Sequence, residues 1–452
     1  MIFSSLLFIF WFIPIFFGVY YLVPEKLKNT VLFVGSIIFY AWGEPTYLIL
    51  IFVSILVNFI AGLLMEKVTA KKLILILALC FDFGMLMIFK YSGFFVQNIN
   101  SFFSLNLPIP KLVLPLGISF YTFQIASYVI DLYRGKIEAE HNIITLGTYL
   151  VMFPQLIAGP IVVYKEVSKE LHSRKITLSQ IEEGLGIFIW GLSSKVLIAN
   201  QCGALWDELE KIGYANISMP LAWLGVLAYT LQIYFDFNGY SVMAIGLGKM
   251  LGFNIPKNFD YPYISKSLTE FWRRWHITLS GWFREYVYIP LGGNRKGKMR
   301  TYVNLFVVWF LTGFWHGAGW NFIIWGLFFF VFLSMEKSFL GKMLDNHSIL
   351  ARVYSLIMIG LSWMIFAITD FSMLKTYFIR LFSFTAGRDF VYYLRNYFVL
   401  LVLACVLATP VLKGIFEKCP KWAKNVIYVV LLILSVSYLA DASFNPFLYF
   451  RF

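Results

Sequence analysis

Apolar stretches close to the length of a bilayer crossing recur along this chain, separated by short polar connections. A helix needs about 20 apolar residues to cross the hydrocarbon core. Inside that core every backbone N–H and C=O must be bonded within the protein. The pattern therefore predicts an all-α integral membrane protein. Candidate spans are 2–23, 30–43, 46–64, 72–95, 112–130, 144–163, 184–200, 221–248, 302–314, 319–340, 352–369, 372–384, 393–412 and 424–441. Segments 30–43, 302–314 and 372–384 are short and read as re-entrant or tilted. About eleven full crossings remain, together with re-entrant and interfacial helices. The opening MIFSSLLFIFWFIPIFFGVYYLVPEK has no basic leader and too long an apolar run for a signal peptide, so it reads as a retained first span.

Composition excludes the soluble alternative. Of 452 residues, 60% are hydrophobic and 13% charged, where soluble domains carry about 25% charged residues. No internal repeat or low-complexity tract divides the chain, and residues 1–452 read as a single multi-span domain. The net charge of +13 sits largely in loops. Cations so placed anchor a cytoplasmic face against anionic lipids, and nucleic acid is not an expected partner. The cysteines Cys80, Cys202, Cys405 and Cys419 show no metal-ligand spacing. No metal and no bound prosthetic group is expected.

One segment breaks the pattern. Residues 249–300 hold no long apolar run but carry ten Lys/Arg against three Asp/Glu, densely mixed with aromatics. A cytoplasmic loop obeying the positive-inside rule explains the charge. A binding face for an anionic donor explains it as well, with Arg273, Arg274, Trp275 and Arg284 as candidates. Residues 268–290 read as one amphipathic interfacial helix, with Phe271, Trp275, Thr278 and Trp282 on one stripe and Trp272, His276, Leu279 and Phe283 on the next.

Among five histidines, His141, His172 and His347 lie in polar loops and read as solvated. His316 lies in LTGFWHGAGWNFIIWG, flanked by apolar stretches and by Gly313, Gly317 and Gly319. An ionisable group at that depth is costly and marks function by default. A neutral imidazole there can take a proton from a hydroxyl nucleophile, with Trp315, Trp320 and Asn321 shaping the site. A histidine bonded to a neighbouring helix is the structural alternative. His276 follows Trp275 on the basic segment and suits a second acid/base role, donor orientation or plain interfacial packing. Asp236 and Asn238 interrupt an apolar run; both helix-to-helix bonding and a cavity wall fit them. No GxSxG, P-loop or HExxH occurs, so any group transfer proceeds by direct attack with a histidine as base.

The run FWRRWHITLSGWFREYVYIPLGGNR, followed forty residues after its histidine by WHGAGWNFIIWG, resembles the bacterial membrane-bound O-acyltransferase (MBOAT) family, in its alginate O-acetylase-like branch. LPLGISFYTFQIASYVIDLYRG, MFPQLIAGPIV, QIYFDFNGYSVMAIGLGKMLGF and the terminal FNPFLYFRF extend the likeness in the same order. The resemblance implies a ring of tilted helices around a central tunnel. It places the active histidine on His316 in 302–335 and the second family histidine on His276. It implies transfer of an acyl group, most simply acetyl from acetyl-CoA, from a cytosolic thioester across the inner membrane. A separate extracytoplasmic acyltransferase would complete O-acylation of an exopolysaccharide such as alginate. The aromatic tail 444–452 makes Tyr449 a candidate acyl acceptor or an interfacial anchor. D-alanyl transfer from a carrier protein to a cell-wall polymer, and transport without acyl chemistry, are the competing expectations.

Overall fold

A computed structural model describes residues 1–441. Among the described residues the secondary structure is helical throughout, with no strand. Seven helices among the described residues are long and apolar enough to cross a membrane: Pro45–Lys67, Lys71–Phe103, Leu178–Ile212, Trp320–Asp345, Ser348–Ala367, Asp389–Leu407 and Lys421–Asp441. A shorter apolar helix covers Phe8–Leu22. The chain is thus an all-α, multi-pass membrane protein.

The difference from about eleven expected crossings has local causes. The 144–163 run is not one helix: Ile143–Val151 stops at Met152, and only Phe153–Leu156 resumes before irregular backbone. Pro154 and Pro160 remove backbone donors there. This buried non-helical stretch is satisfied from side chains, as protein-enclosed irregular backbone must be. The Gln155 amide donates to the Tyr149 carbonyl, and the Tyr149 hydroxyl lies 3.0 Å from the Val162 carbonyl that accepts from it. The 112–130 run forms a helix only over Ile118–Tyr133. Met219–Met250 and Lys298–His316 are long, at 32 and 19 residues, but interior polar groups such as Gln232, Asp236, Asn304 and His316 make them less apolar than the seven.

Contacts gather the chain into two compact units, Met1–Phe188 with Ser241–Pro256, and Ile189–Tyr240 with the described residues from Lys257 onward. In the first, Phe8, Phe12, Phe16, Phe39 and Phe153 form a ring cluster with centroids 5.2 to 6.2 Å apart. There too Asn58 donates to the buried carboxylate of Asp82 at 2.8 Å, joining two membrane helices. The second unit holds an aromatic core that includes Trp206, Trp272, Trp275, Trp309, Trp325 and Trp363. Both histidines of interest belong to it.

Two helices of this second unit set the frame for His316. Lys298–His316 and Trp320–Met335 are joined by three residues. They pack backbone to backbone: a Cβ added to Gly326 would lie 2.3 Å from the Trp309 carbonyl oxygen and 3.1 Å from the Gly313 Cα. Small residues permit this approach, which drives helix association in lipid.

Candidate active site

The expected continuous helix over 268–290 is broken at its centre. Leu268–Arg274 and Ile277–Phe283 are separate short helices, with His276 between them at φ +45°. A non-glycine residue in that region is held by its surroundings. Here the holder is Asn258, which lies between Lys257 and Phe259 on the preceding loop. Its carbonyl accepts from Ile277 N–H at 2.9 Å. Its Oδ1 accepts from Thr278 N–H at 3.3 Å and from the Thr278 hydroxyl at 2.9 Å. Because a backbone N–H points at it, this atom is the oxygen, and His276 Nδ1, 3.2 Å away, therefore carries its proton. That leaves His276 Nε2 as the acceptor, with no hydrogen-bond partner among the described residues. Burial without a countercharge pushes the His276 imidazole down to about 3, so it is neutral.

The break also dissolves the expected stripes. Trp272, Trp275 and His276 are buried in the core and do not lie on an interfacial face. Trp275 stacks on Phe271 at 5.5 Å and meets Trp363 at 4.9 Å. The C-terminal part of the segment turns through a π-helical stretch, Arg284–Tyr288.

His316 is the last residue of its helix and is 6% exposed. Three rings enclose it: Trp325 at 4.9 Å, Trp315 at 5.0 Å and Phe366 at 5.3 Å. Trp315 also meets His276 at 6.1 Å, so one indole is shared by both imidazoles. Asn321 is buried nearby and donates to the Phe366 carbonyl at 3.2 Å, fixing that ring's helix.

A cavity of about 700 Å³ lies in the same unit. Its walls include Lys266, Trp272, Arg273, Arg284, Leu305, Val308, Trp309, Thr312, Glu336 and Lys337. Leu305, Val308, Trp309 and Thr312 occupy one face of the Lys298–His316 helix, and the next position on that face is residue 316. Trp272 lines the cavity and packs on Trp309 at 4.7 Å and on Trp325 at 5.6 Å. The cavity wall and His316 thus share one helix, and Trp272 touches both the cavity and the core around Trp325.

The candidates from sequence divide accordingly. Arg273 and Arg284 are exposed, line the cavity and have no carboxylate in ion-pair reach among the described residues. Arg274 does not line it. It pairs with Glu270 at 2.9 Å and Asp260 at 3.6 Å, which ties the loop before it in place. Trp275 is core. Trp320 is 51% exposed at the start of its helix, and it is Trp325, five residues on, whose ring joins those of Trp315 and Phe366 around His316. The helical phase carries Trp320 outward and Trp325 inward. Asp236 is 2% exposed and lies outside the cavity wall, bonded to Lys195 Nζ at 2.6 Å. Asn238 is half-buried. Tyr449 lies outside the described residues.

Three participants were not read from sequence. Lys195 sits alone in an apolar run on a π-helical stretch, Ser194–Ala199. A lone cation and a lone acid in two spans are a legible pair. Glu336 is buried and accepts from Leu268 N–H at 2.7 Å and Thr269 N–H at 3.0 Å, holding the start of the Leu268–Arg274 helix. No local pattern announces that contact. Trp325 lies within the same WHG block as His316, but only helical phase distinguishes it from Trp320.

Comparison with known proteins identifies the family. The family model for MBOAT, the membrane-bound O-acyltransferase family, matches residues 136–374, a range that contains both histidines. The probable alginate O-acetylase AlgI of Pseudomonas aeruginosa is 41% identical over 394 residues, covering 85% of this chain and 75% of that protein. The peptidoglycan O-acetyltransferase of Helicobacter pylori is 36% identical over 406 residues, covering 81% of this chain and 77% of that protein. The teichoic acid D-alanyltransferase of Streptococcus thermophilus is 30% identical over 251 residues, covering 50% of this chain and 58% of that protein. The chain therefore belongs to the membrane-bound O-acyltransferase family and is a multi-pass membrane O-acyltransferase.

Proposed function

We propose that the protein takes an acetyl group from a cytosolic thioester, acetyl-CoA, and passes it outward for O-acetylation of an extracytoplasmic polysaccharide. His316 is the general base. The observation that carries this reading is a buried histidine at the end of the cavity-lining face of its helix, enclosed by Trp315, Trp325 and Phe366. The attacking hydroxyl oxygen bonds to the carbonyl carbon while its proton moves to His316. The C–S bond then breaks, and the departing thiolate takes the proton. Trp315, shared between the imidazoles, positions them, and His276 orients the donor through its free Nε2.

Arg273 and Arg284, with Lys266 and Lys337, outnumber Glu270, Glu336 and Asp345 on the cavity wall and are the groups that would meet the phosphates of coenzyme A. Tyr449, or a hydroxyl on a separate extracytoplasmic acyltransferase, receives the acyl group. Acetyl is favoured over D-alanyl because the O-acetylating relatives match more of this chain at higher identity. Transport without acyl chemistry gives way to the family's enzymology.

The test is transfer of labelled acetyl from acetyl-CoA to the purified protein in detergent. Label on wild type but on neither His316→Ala nor Tyr449→Phe supports a base at His316 and a self-acylated tail. Label lost with His316→Ala alone keeps the base and moves the acceptor. A folded wild type that takes no label from acetyl-CoA, but does from a D-alanyl carrier, overturns the acetyl reading. The paired Arg273→Gln and Arg284→Gln variant is expected to raise KM for acetyl-CoA about tenfold, with kcat changed less than about twofold, as loss of uniform binding requires. An unchanged KM removes the phosphates from this cavity.

A further inference from the structure

We infer that the indole N–H of Trp325 is the hydrogen-bond donor that meets the carbonyl oxygen of the acyl donor as negative charge builds on it. The inference rests on His316 being the base.

Trp325 is fully buried, and its ring lies 4.9 Å from the His316 imidazole with the planes at 85°. Its other ring neighbours include Trp272 at 5.6 Å, Phe329 at 5.1 Å and Phe366 at 5.3 Å. Its Nε1 is buried and, like those of Trp272 and Trp363, has no hydrogen-bond partner among the described residues; of the three, Trp325 is the one whose ring meets His316. A buried indole N–H ordinarily finds an acceptor, and one that does not calls for an explanation. An acceptor that arrives only with the substrate is such an explanation.

The chemistry asks for a donor at this place. In direct attack on a thioester, the carbonyl π pair moves onto oxygen as the new C–O bond forms. The same pair returns as the C–S bond breaks. A base beside the carbonyl carbon leaves the carbonyl oxygen in need of a fixed donor, and a donor in a dry site is worth far more than in water. The ring enclosure supplies the dryness. The fixity comes from the neighbouring residue: Gly326 is in backbone contact with Trp309 and Gly313, so the backbone carrying Trp325 has no room to shift against the helix carrying His316. Trp272 lines the cavity and packs on Trp325, so the carbonyl would approach Trp325 from the cavity by displacement of the Trp272 ring.

The experiment replaces Trp325 with 3-benzothienylalanine, which keeps the bicyclic shape and puts sulfur where the N–H was. Acetyl transfer from acetyl-CoA is then measured at saturating donor, alongside the thermal unfolding midpoint. The same replacement at Trp363, a buried tryptophan of the same core, is the reference. A fall in kcat of about 10²-fold at position 325 is expected, within the range for losing one oxyanion donor. KM and the unfolding midpoint should stay at wild-type values, and the Trp363 replacement should leave kcat near wild type. Wild-type kcat at position 325 overturns the inference. So does a loss of kcat that tracks a loss of stability, because the ring then serves packing alone. If His316→Ala retains turnover, the base assignment itself has failed; if His316→Ala is inactive and the Trp325 replacement is not, only the donor role has failed.

Discussion

His316→Ala is expected to lower acetyl transfer about 10³-fold, in the middle of the range for a positioned general base. The reasoning is geometric. The imidazole is enclosed by three rings, so no bulk water stands in for the missing base. The donor's phosphates are assigned to cavity residues at some remove, so KM for acetyl-CoA should change by less than about threefold, the pattern of an interaction made only in the transition state. Single-turnover kinetics with labelled donor separate the two constants, and the monodispersity of the detergent-solubilised variant checks its fold. Full turnover by a folded His316→Ala protein would remove the base role. His276→Ala differs in kind: it also removes one of the bonds to Asn258 that hold the break between the 268–283 helices, so its loss of activity should come with a lowered unfolding midpoint.

Breaking the Lys195–Asp236 pair is expected to be the most destabilising single change in the second unit. Both side chains are almost fully buried, with Nζ and Oδ1 2.6 Å apart and the Asn200 Oδ1 accepting from Lys195 Nζ at 2.9 Å. Removing one partner leaves an uncompensated charge, which costs about 3–5 kcal/mol. Asp236→Ala and Lys195→Met should each show that loss in chemical unfolding in detergent. The joint Lys195→Met and Asp236→Leu variant should recover most of it, because the expense of a buried pair lies in desolvation and is returned when both charges go. A joint variant no better than either single one would show that the charges serve something besides each other. The helices approach closely enough for this bond because residue 239 is glycine: a Cβ there would sit 2.9 Å from the Gly191 carbonyl oxygen.

Much of this architecture was legible in the sequence because lipid imposes a coarse rule. The strongest spans, such as 46–64 and 424–441, are where the helices Pro45–Lys67 and Lys421–Asp441 lie. His316 stood out because an imidazole in an apolar, glycine-rich run has few explanations. What failed was continuity. The run 268–290 has helical periodicity throughout, but its break is dictated by Asn258, a residue outside it. The run 144–163 is apolar enough to span, but Pro154 and Pro160 interrupt it, and around the break the Gln155 and Tyr149 side chains donate to the carbonyls of Tyr149 and Val162. Burial also misled in one direction: Arg273, Arg274, Trp275 and Arg284 are near neighbours in sequence, and tertiary contacts alone send Arg274 to Glu270 and Trp275 to the core. The choice between Trp320 and Trp325 required knowing where the second helix begins, which Gly317 and Gly319 leave open from sequence.

The backbone contact between Gly313 and Gly326 bears on how the protein is made. With three residues between them, the two helices form a hairpin whose halves touch without intervening side chains. Such a hairpin is expected to enter lipid as one piece, because a three-residue link leaves its second limb little slack to lag behind the first. A polar imidazole delivered on a single helix would face hydrocarbon on arrival, at considerable expense. Delivered on this hairpin, it arrives already against Trp325. Lengthening the three-residue link, or widening the helices with a larger residue at position 326, should therefore show itself first in the yield of inserted protein from the translocon, before any assay of the finished enzyme.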